Sequence, residues 1–224
     1  MTTVVQTLDL GRMDYRKAYA IQAKIHQDRY ENRIQDTILF QENDPIFTLG
    51  RNSSDDHLLR SREELKALGI DLEYVDRGGD ITYHGPGQLV ISPILSLRDH
   101  SISVHQYLRN LEETIIRLLR KYAIDGQRIP GSSGVWVDQE KIAAVGIAIQ
   151  HGITRHGISI NVCPDLNHFS YIIPCGILDK GVTSLKKLGV LIEDMDTFKA
   201  DYLIEFNAVF HTTTHQIQFD QKED

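Results

Sequence analysis

The chain has 224 residues, 41% of them hydrophobic and 25% charged, with a formal net charge of −7. This size and composition fit one folded domain, and no apolar run reaches the 18 residues a membrane-spanning helix needs. An acidic chain also argues against general nucleic-acid binding, which requires clustered Lys and Arg.

The opening segment Met1–Gln6 has neither a basic n-region nor a long apolar h-region, so the expected location is the cytoplasm. Thr3 to Leu10 alternate and predict a strand. Asp14 to Asn32 carry Tyr15, Ala18, Ile21, Ile25 and Tyr30 at near-helical spacing and predict a long amphipathic helix. Asp36 to Glu42 and Pro45 to Leu49 predict two short strands with a turn at Asn43-Asp44. Ser61 to Leu68 reads as a short helix opened by a Ser-x-x-Glu capping box and closed by Gly69. Asp71 to Val75 and the almost wholly apolar Gln88 to Leu97 predict strands. Ser103 to Tyr122 is a helix with Leu108, Leu111, Ile115, Leu118 and Leu119 on one face. Gly134 to Val137, Lys141 to Gln150 and His156 to Val162 are further strands, and Asp196 to Phe210 a last helix.

Strands in runs, with helices set apart from them, predict an α+β fold whose sheet is mixed and largely antiparallel, flanked by helices. No repeat or linker divides the chain. A single domain over 1–224 is expected, with room for a small helical lobe from about 181 to 224.

Three segments break local rules. Arg77 to Gln88 holds four glycines among Arg77, Thr82, Tyr83 and His84. Glycine permits positive φ and close approach of a ligand to the backbone, but tight hairpin turns need it too. No Gly-Lys-Ser/Thr follows, so this is not a nucleotide P-loop. Lys141 opens a run, Ile142 to Ile149, that is apolar on both faces and predicts a buried strand. Lys141 is then either a solvated charge at a turn exit or a partly desolvated proton carrier.

Cys175 lies between Pro174 and Gly176, on a turn. A free cysteine is commonly a small buried hydrophobe, and a thiol of ordinary pKa, ~8.5, is only slightly ionised at neutral pH. A neighbouring cation would raise the thiolate fraction, with Lys141 and His84 as candidates. Cys163, after a strand and before Pro164-Asp165, reads as structural. Two cysteines without a Cys-x-x-Cys pair, and ten histidines without ligand spacing, predict no metal site.

Taken in order, these segments resemble the lipoyl(octanoyl) transferase family. The matching residues are Thr48-Leu49-Gly50-Arg51, Arg77 to Val90, Gly134-Val135-Trp136-Val137, Lys141 to Gly146, His156 to Val162, Pro174-Cys175-Gly176-Ile177 and Val182-Thr183-Ser184-Leu185. The resemblance implies a biotin/lipoate protein ligase-like catalytic domain. It implies octanoyl transfer from acyl carrier protein, where the acyl group is a thioester on phosphopantetheine, to a lysine. Acceptors would be the lipoyl domains of 2-oxoacid dehydrogenase complexes and the glycine-cleavage H protein. By the same resemblance Cys175 forms the acyl-enzyme, and Lys141 lowers the thiol pKa and handles protons. Arg77, Gly78, Gly79, Asp80, Ile81, Thr82, Tyr83 and His84 would line the acyl site. So would Ala144, Val145 and Gly146, and Gly157, Ile158 and Ser159.

A covalent intermediate suits transfer between two proteins that need not dock together, and a thioester, being already activated, needs no ATP. Neither cofactor nor metal is expected, nor nucleic acid or membrane partner, and the chain is expected to be a monomer. Apolar walls are expected from Ile81, Val90, Val145 and Ile147. Arg51, Arg155, Lys180, Lys186 and Lys187 could form a basic rim for acidic protein partners. An ATP-dependent lipoate or biotin protein ligase, a thiol hydrolase and a non-catalytic binding module are the alternatives.

Overall fold

The computed structural model describes residues 3–173 and 180–218. Cys175, with Pro174, Gly176 and Ile177, lies outside the described residues. The element order is β1 (Thr3–Met13), α1 (Tyr15–Tyr30), β2 (Thr37–Asn43), β3 (Ile46–Leu49), α2 (Arg62–Ala67), β4 (Asp71–Tyr74), β5 (Ile81–His84) and β6 (Gln88–Ile94). There follow α3 (Val104–Lys121), β7 (Gln127–Ile129), β8 (Ser132–Val137), β9 (Glu140–Gln150), β10 (Ile153–Asn161), β11 (Gly181–Val182), α4 (Met195–Phe210) and β12 (Thr212–Gln216).

A large mixed sheet runs in the order β12-β1-β2-β6-β10-β9-β8-β7, with β11 beside β9, and a small sheet runs β4-β3-β5. The centre of the large sheet is antiparallel, whereas β1 pairs in parallel with both β2 and β12. The fold is α+β with a mixed sheet flanked by helices. The turn at Asn43-Asp44 does not make a hairpin. It carries the chain from β2 in the large sheet to β3 in the small one, where β3 meets β4 and β5.

Period-2 alternation assigns the two faces of the large sheet. Ile38, Phe40, Leu89, Ile91, Ile158 and Ile160 point to one face and join α3 and α4 in the main core, where Phe198, Tyr202, Phe206 and Phe210 are buried. Their neighbours in sequence point to the other face. There Ala18 of α1 packs on Leu8, Leu39, Ile94 and Ile153, and the small sheet closes the rest. Local signals set the helix ends: α2 begins with the Ser61–Glu64 capping box, and the Ser103 side chain accepts from the Gln106 N–H to start α3.

Two irregularities shape the α1 face. On β9, Val135 pairs with Ala143 but Trp136 pairs with Lys141, so one extra residue bulges out at Ile142. The bulge turns both Ile142 and Ala143 into the α3/α4 core and brings Lys141 into phase with Ala144 and Gly146.

On β6, Pro93 sits in a central strand with no N–H to donate. Opposite it, β10 leaves the ladder: regular pairing ends at Ile158–Ile91 and resumes with Thr154 N–H to Leu95 O at 3.0 Å. His156 takes up the slack with φ +55°, a conformation few non-glycine residues adopt. Gly157 follows because a Cβ there would lie 2.2 Å from Ile91 O.

Candidate active site

Between the large sheet, α1 and the small sheet lies a cavity partly open to solvent. Cross-strand register builds its floor. Gln41, Val90, Ser159 and Ala144 form one row across β2, β6, β10 and β9. Two residues further on lie Ser92, Gly157 and Gly146, with Gly157 directly opposite Gly146. Two facing glycines remove the side chains there, so the cavity reaches down to the backbone. A Cβ on Gly146 would stand 3.0 Å from Arg77 Cδ.

Arg77 forms part of the opposite wall. Its side chain is buried, with Nη2 donating to Thr48 O (2.6 Å) and Oγ1 (2.9 Å) and Nη1 donating to Gly78 O (3.1 Å). These bonds tie the Gly-rich segment to β3. Gly78 N–H donates to Ile147 O at 2.8 Å and fastens the same segment to β9. Asp80 accepts from the Ile81 N–H at 2.7 Å, which holds the turn into β5.

A second, smaller cavity adjoins the first and shares Thr82, Lys141, Ala144 and Ser159 with it. Trp136, Phe169 and Val182 supply its apolar wall, and Lys180 borders it. Lys141 stands where the two chambers meet. Its Nζ lies 4.7 Å from the centroid of the Trp136 ring, and Lys180 Nζ lies 5.5 Å from the same centroid. The ring's negative face favours ammonium groups at that range. The strand position of Lys141 is fixed on its outer side by β11, whose following residue Thr183 donates its N–H to Lys141 O at 3.0 Å.

A buried polar net underlies the junction. Gln88 Nε2 donates to Tyr83 O (3.1 Å) and Asn161 Oδ1 (2.9 Å), and Asn161 Nδ2 donates to Thr183 O (3.0 Å). The Gln88 amide is thereby oriented, leaving Oε1 to accept from His84 Nδ1 at 2.7 Å, which assigns the His84 proton to Nδ1. Burial, reinforced by the charge of Arg77, pushes His84 down to about 4. It therefore borders the cavity as a neutral imidazole, stacked on Tyr15 at 5.9 Å.

At the other end, His156 Nε2 lies 2.8 Å from Asp76 Oδ1, and Arg155 Nη1 is 2.9 Å from Asp76 Oδ2. The hydrogen bond from His156 and the charge of Arg155 hold the Asp76 carboxyl well below the usual range, against its partial burial. Burial lowers His156 itself.

Of the residues singled out in the sequence, the first cavity gathers Lys141, Arg77, Gly79, Asp80, Ile81, Thr82 and His84, with Ala144, Val145, Gly146, Gly157, Ile158 and Ser159. Val145 and Ile158 pack their side chains into the α3/α4 core, so what they offer the cavity is main chain. Gly78 and Tyr83 border neither cavity. Tyr83 points into the small-sheet core against Phe47 and Phe169, with its hydroxyl 2.8 Å from His168 Nδ1.

Further expectations are corrected. Val145 and Ile147 are not apolar walls: alternation past the β9 bulge sends both side chains to the α3/α4 core. Arg155 is not part of a basic rim, because it is buried against Asp76 and stacked over Tyr19. Arg51, Lys186 and Lys187 are exposed, Lys187 in a 2.7 Å ion pair with Glu140. Cys163 is exposed and borders neither chamber.

The sequence reading missed Tyr15, Tyr19 and Gln22 of α1, and Gln41 and Ser92 of the floor. Among the described residues no cluster of His, Cys, Asp or Glu is placed to hold a metal. No described helix is long and apolar enough to cross a membrane.

The sequence that builds this mixed sheet and its helices matches a known domain. The lipoyl protein ligase A/B catalytic domain family matches residues 14–207, and the chain belongs to that family. Its relatives there include proteins named octanoyltransferase. That of Alkaliphilus metalliredigens is 40% identical over 208 residues, which cover 92% of this chain and 95% of the relative. Among solved structures, a bipartite lipoate protein ligase from Thermoplasma acidophilum superposes with a TM-score of 0.75 at 16% identity, covering 98% of this chain and 89% of that one. The biotin protein ligase of Aquifex aeolicus gives 0.52 at 15% identity, covering 94% and 70%. These two likenesses concern the fold.

Proposed function

We propose that the protein transfers an octanoyl group from octanoyl-acyl carrier protein to the lysine amine of a lipoyl domain, through a thioester on Cys175. The octanoyltransferase relatives support the acyl group and the reaction class. The observation that carries the reading is Lys141 at the meeting point of the two chambers. The larger chamber, floored by Val90, Ala144 and the paired glycines, suits an alkyl chain. Each methylene buried there contributes about 0.8 kcal/mol. The smaller chamber leaves an approach for the arm that delivers or receives the acyl group.

In the first half-reaction the Cys175 thiolate attacks the thioester carbonyl, and the bond to the pantetheine sulfur breaks. Lys141 gives its proton to that leaving thiolate. In the second half-reaction the acceptor amine attacks the acyl-enzyme, Lys141 takes the amine proton, and the Cys175 thiolate departs. Main-chain N–H groups of the glycine-rich segments are suitable donors for the oxyanion in both steps. The ammonium of Lys141 favours the thiolate by its charge. Lys180, five residues beyond Cys175 in the chain, shares the Trp136 face with Lys141, which supports this pairing.

The reading requires no resident cofactor. Its acceptors are lipoyl domains of 2-oxoacid dehydrogenase complexes and the glycine-cleavage H protein, and it places a monomeric enzyme in the cytoplasm.

The shared fold makes an ATP-dependent lipoate or biotin protein ligase the competing reading. Octanoyl-acyl carrier protein and a lipoyl domain, incubated with the enzyme and no ATP, should give a domain heavier by one octanoyl group. Product formed only from free octanoate plus ATP would establish the ligase instead.

A further inference from the structure

The larger chamber has two chemically different ends. The end shared with the second chamber holds Lys141. The other end is closed by Gln22 of α1, which is only 4% exposed. Gln22 Nε2 donates to Ser92 Oγ on β6 (3.0 Å), and Gln22 Oε1 accepts the main-chain N–H of His156 on β10 (3.0 Å).

That second bond exists because of the strand irregularity. Pro93 has no donor for the ladder, the β6–β10 hydrogen bonds are interrupted there without a change of register, and the left-handed conformation at His156 aims its N–H at α1 rather than at β6. The Gln22 amide thus bridges a helix and two strands where the ladder is interrupted. It is held at both ends of the amide, so it cannot swing aside without leaving a buried N–H and a buried hydroxyl short of a partner.

We propose that Gln22, held by Ser92 and by the His156 N–H, is the end stop of the acyl chamber and sets an upper limit on the length of linear acyl chain accepted. An alkyl chain entering beside Lys141 meets Val90 and Ala144, then the paired Gly146 and Gly157, and then this bonded amide. Methylenes up to that point gain burial. Further ones must displace an amide whose hydrogen bonds an alkyl chain cannot replace. The substrate class selected is a medium-chain, linear acyl thioester. The inference rests on the acyl-transfer reading and adds a specificity-determining residue to it.

The test compares kcat/KM for hexanoyl-, octanoyl-, decanoyl- and dodecanoyl-acyl carrier protein, with one lipoyl domain as acceptor. Removing the stop in Gln22→Ala should raise the decanoyl-to-octanoyl ratio by about tenfold, close to what two newly buried methylenes supply. Ser92→Ala removes one of the two bonds that hold the Gln22 amide and should move the preference the same way, by a smaller factor. Loss of all chain lengths in equal proportion, or ratios unchanged in both variants, would overturn the proposal. A wild-type enzyme that transfers no acyl group from any carrier protein would fail the transfer reading itself, a result distinct from either.

Discussion

Lys141 Nζ on β9 and the Trp136 ring on β8 lie 4.7 Å apart, although their residues would face opposite sides of an unbroken ladder. The bulge at Ile142 resolves this: it pairs Lys141 with Trp136 and turns the lysine toward the chambers. Its side chain is half-buried, with the ammonium held over an aromatic face at the junction.

In the proposed mechanism, replacing Lys141 by Ala would remove both a charge that favours the thiolate and the group that moves the proton. Octanoyl transfer at pH 7 should fall by about 10²–10⁴-fold. The variant should regain part of its rate as the pH is raised toward the ordinary thiol range of ~8.5, because the thiolate then forms without help. A pH–rate profile checks this. A variant whose rate stays within threefold of wild type at pH 7 would remove Lys141 from the mechanism.

His84 makes stability depend on pH. In the unfolded chain an imidazole titrates near ~6.5, whereas burial holds folded His84 at about 4. Between these values the unfolded chain binds a proton that the folded chain refuses. Stability is therefore complete above about pH 6.5 and declines as the pH falls toward 4, by about 3 kcal/mol in all. His156, also lowered by burial, acts in the same direction. Calorimetric melting at pH 7 and pH 4.5 should show the loss, and His84→Gln should show less of it. An equal slope in the variant would assign the dependence to other groups.

Gly157 tests the strand irregularity. A Cβ there would lie 2.2 Å from Ile91 O and 2.9 Å from Pro93 Cδ, between two central strands that cannot part freely. Gly157→Ala should cost about 3 kcal/mol in denaturant unfolding. Gly152, with φ +78° and open space around its Cα, bears only the left-handed penalty, about 1 kcal/mol in Gly152→Ala. The reverse order would show that β10 is not pinned against β6 as described.

Much of the framework was legible because local chemistry and tertiary context agree. The capping box at Ser61–Glu64 begins α2, the apolar face of Ser103 to Tyr122 becomes the face of α3 in the core, and Lys141 to Gln150 is a strand inside the large sheet, half-buried over most of its length because the chambers lie over it. The α1 contribution to the site was hidden. Tyr15, Tyr19 and Gln22 recur at helical spacing, and such a face reads as ordinary packing; nothing local shows that Gln22 will be buried against two strands. Pro93 inside an apolar strand pattern does signal a break in the hydrogen-bond ladder opposite it. The two sheets were not separable from sequence, because Asn43-Asp44 has the composition of a hairpin turn. Only the partners of β3 show that it belongs to the small sheet.

In the proposed reaction Cys175 carries the acyl group. Intact-mass measurement of the enzyme mixed with octanoyl-acyl carrier protein, without acceptor, should show one added octanoyl group. Peptide mapping should place it on Cys175, and Cys175→Ala should show none. An adduct on Cys163, or octanoyl transfer to a lipoyl domain sustained by Cys175→Ala, would contradict the account.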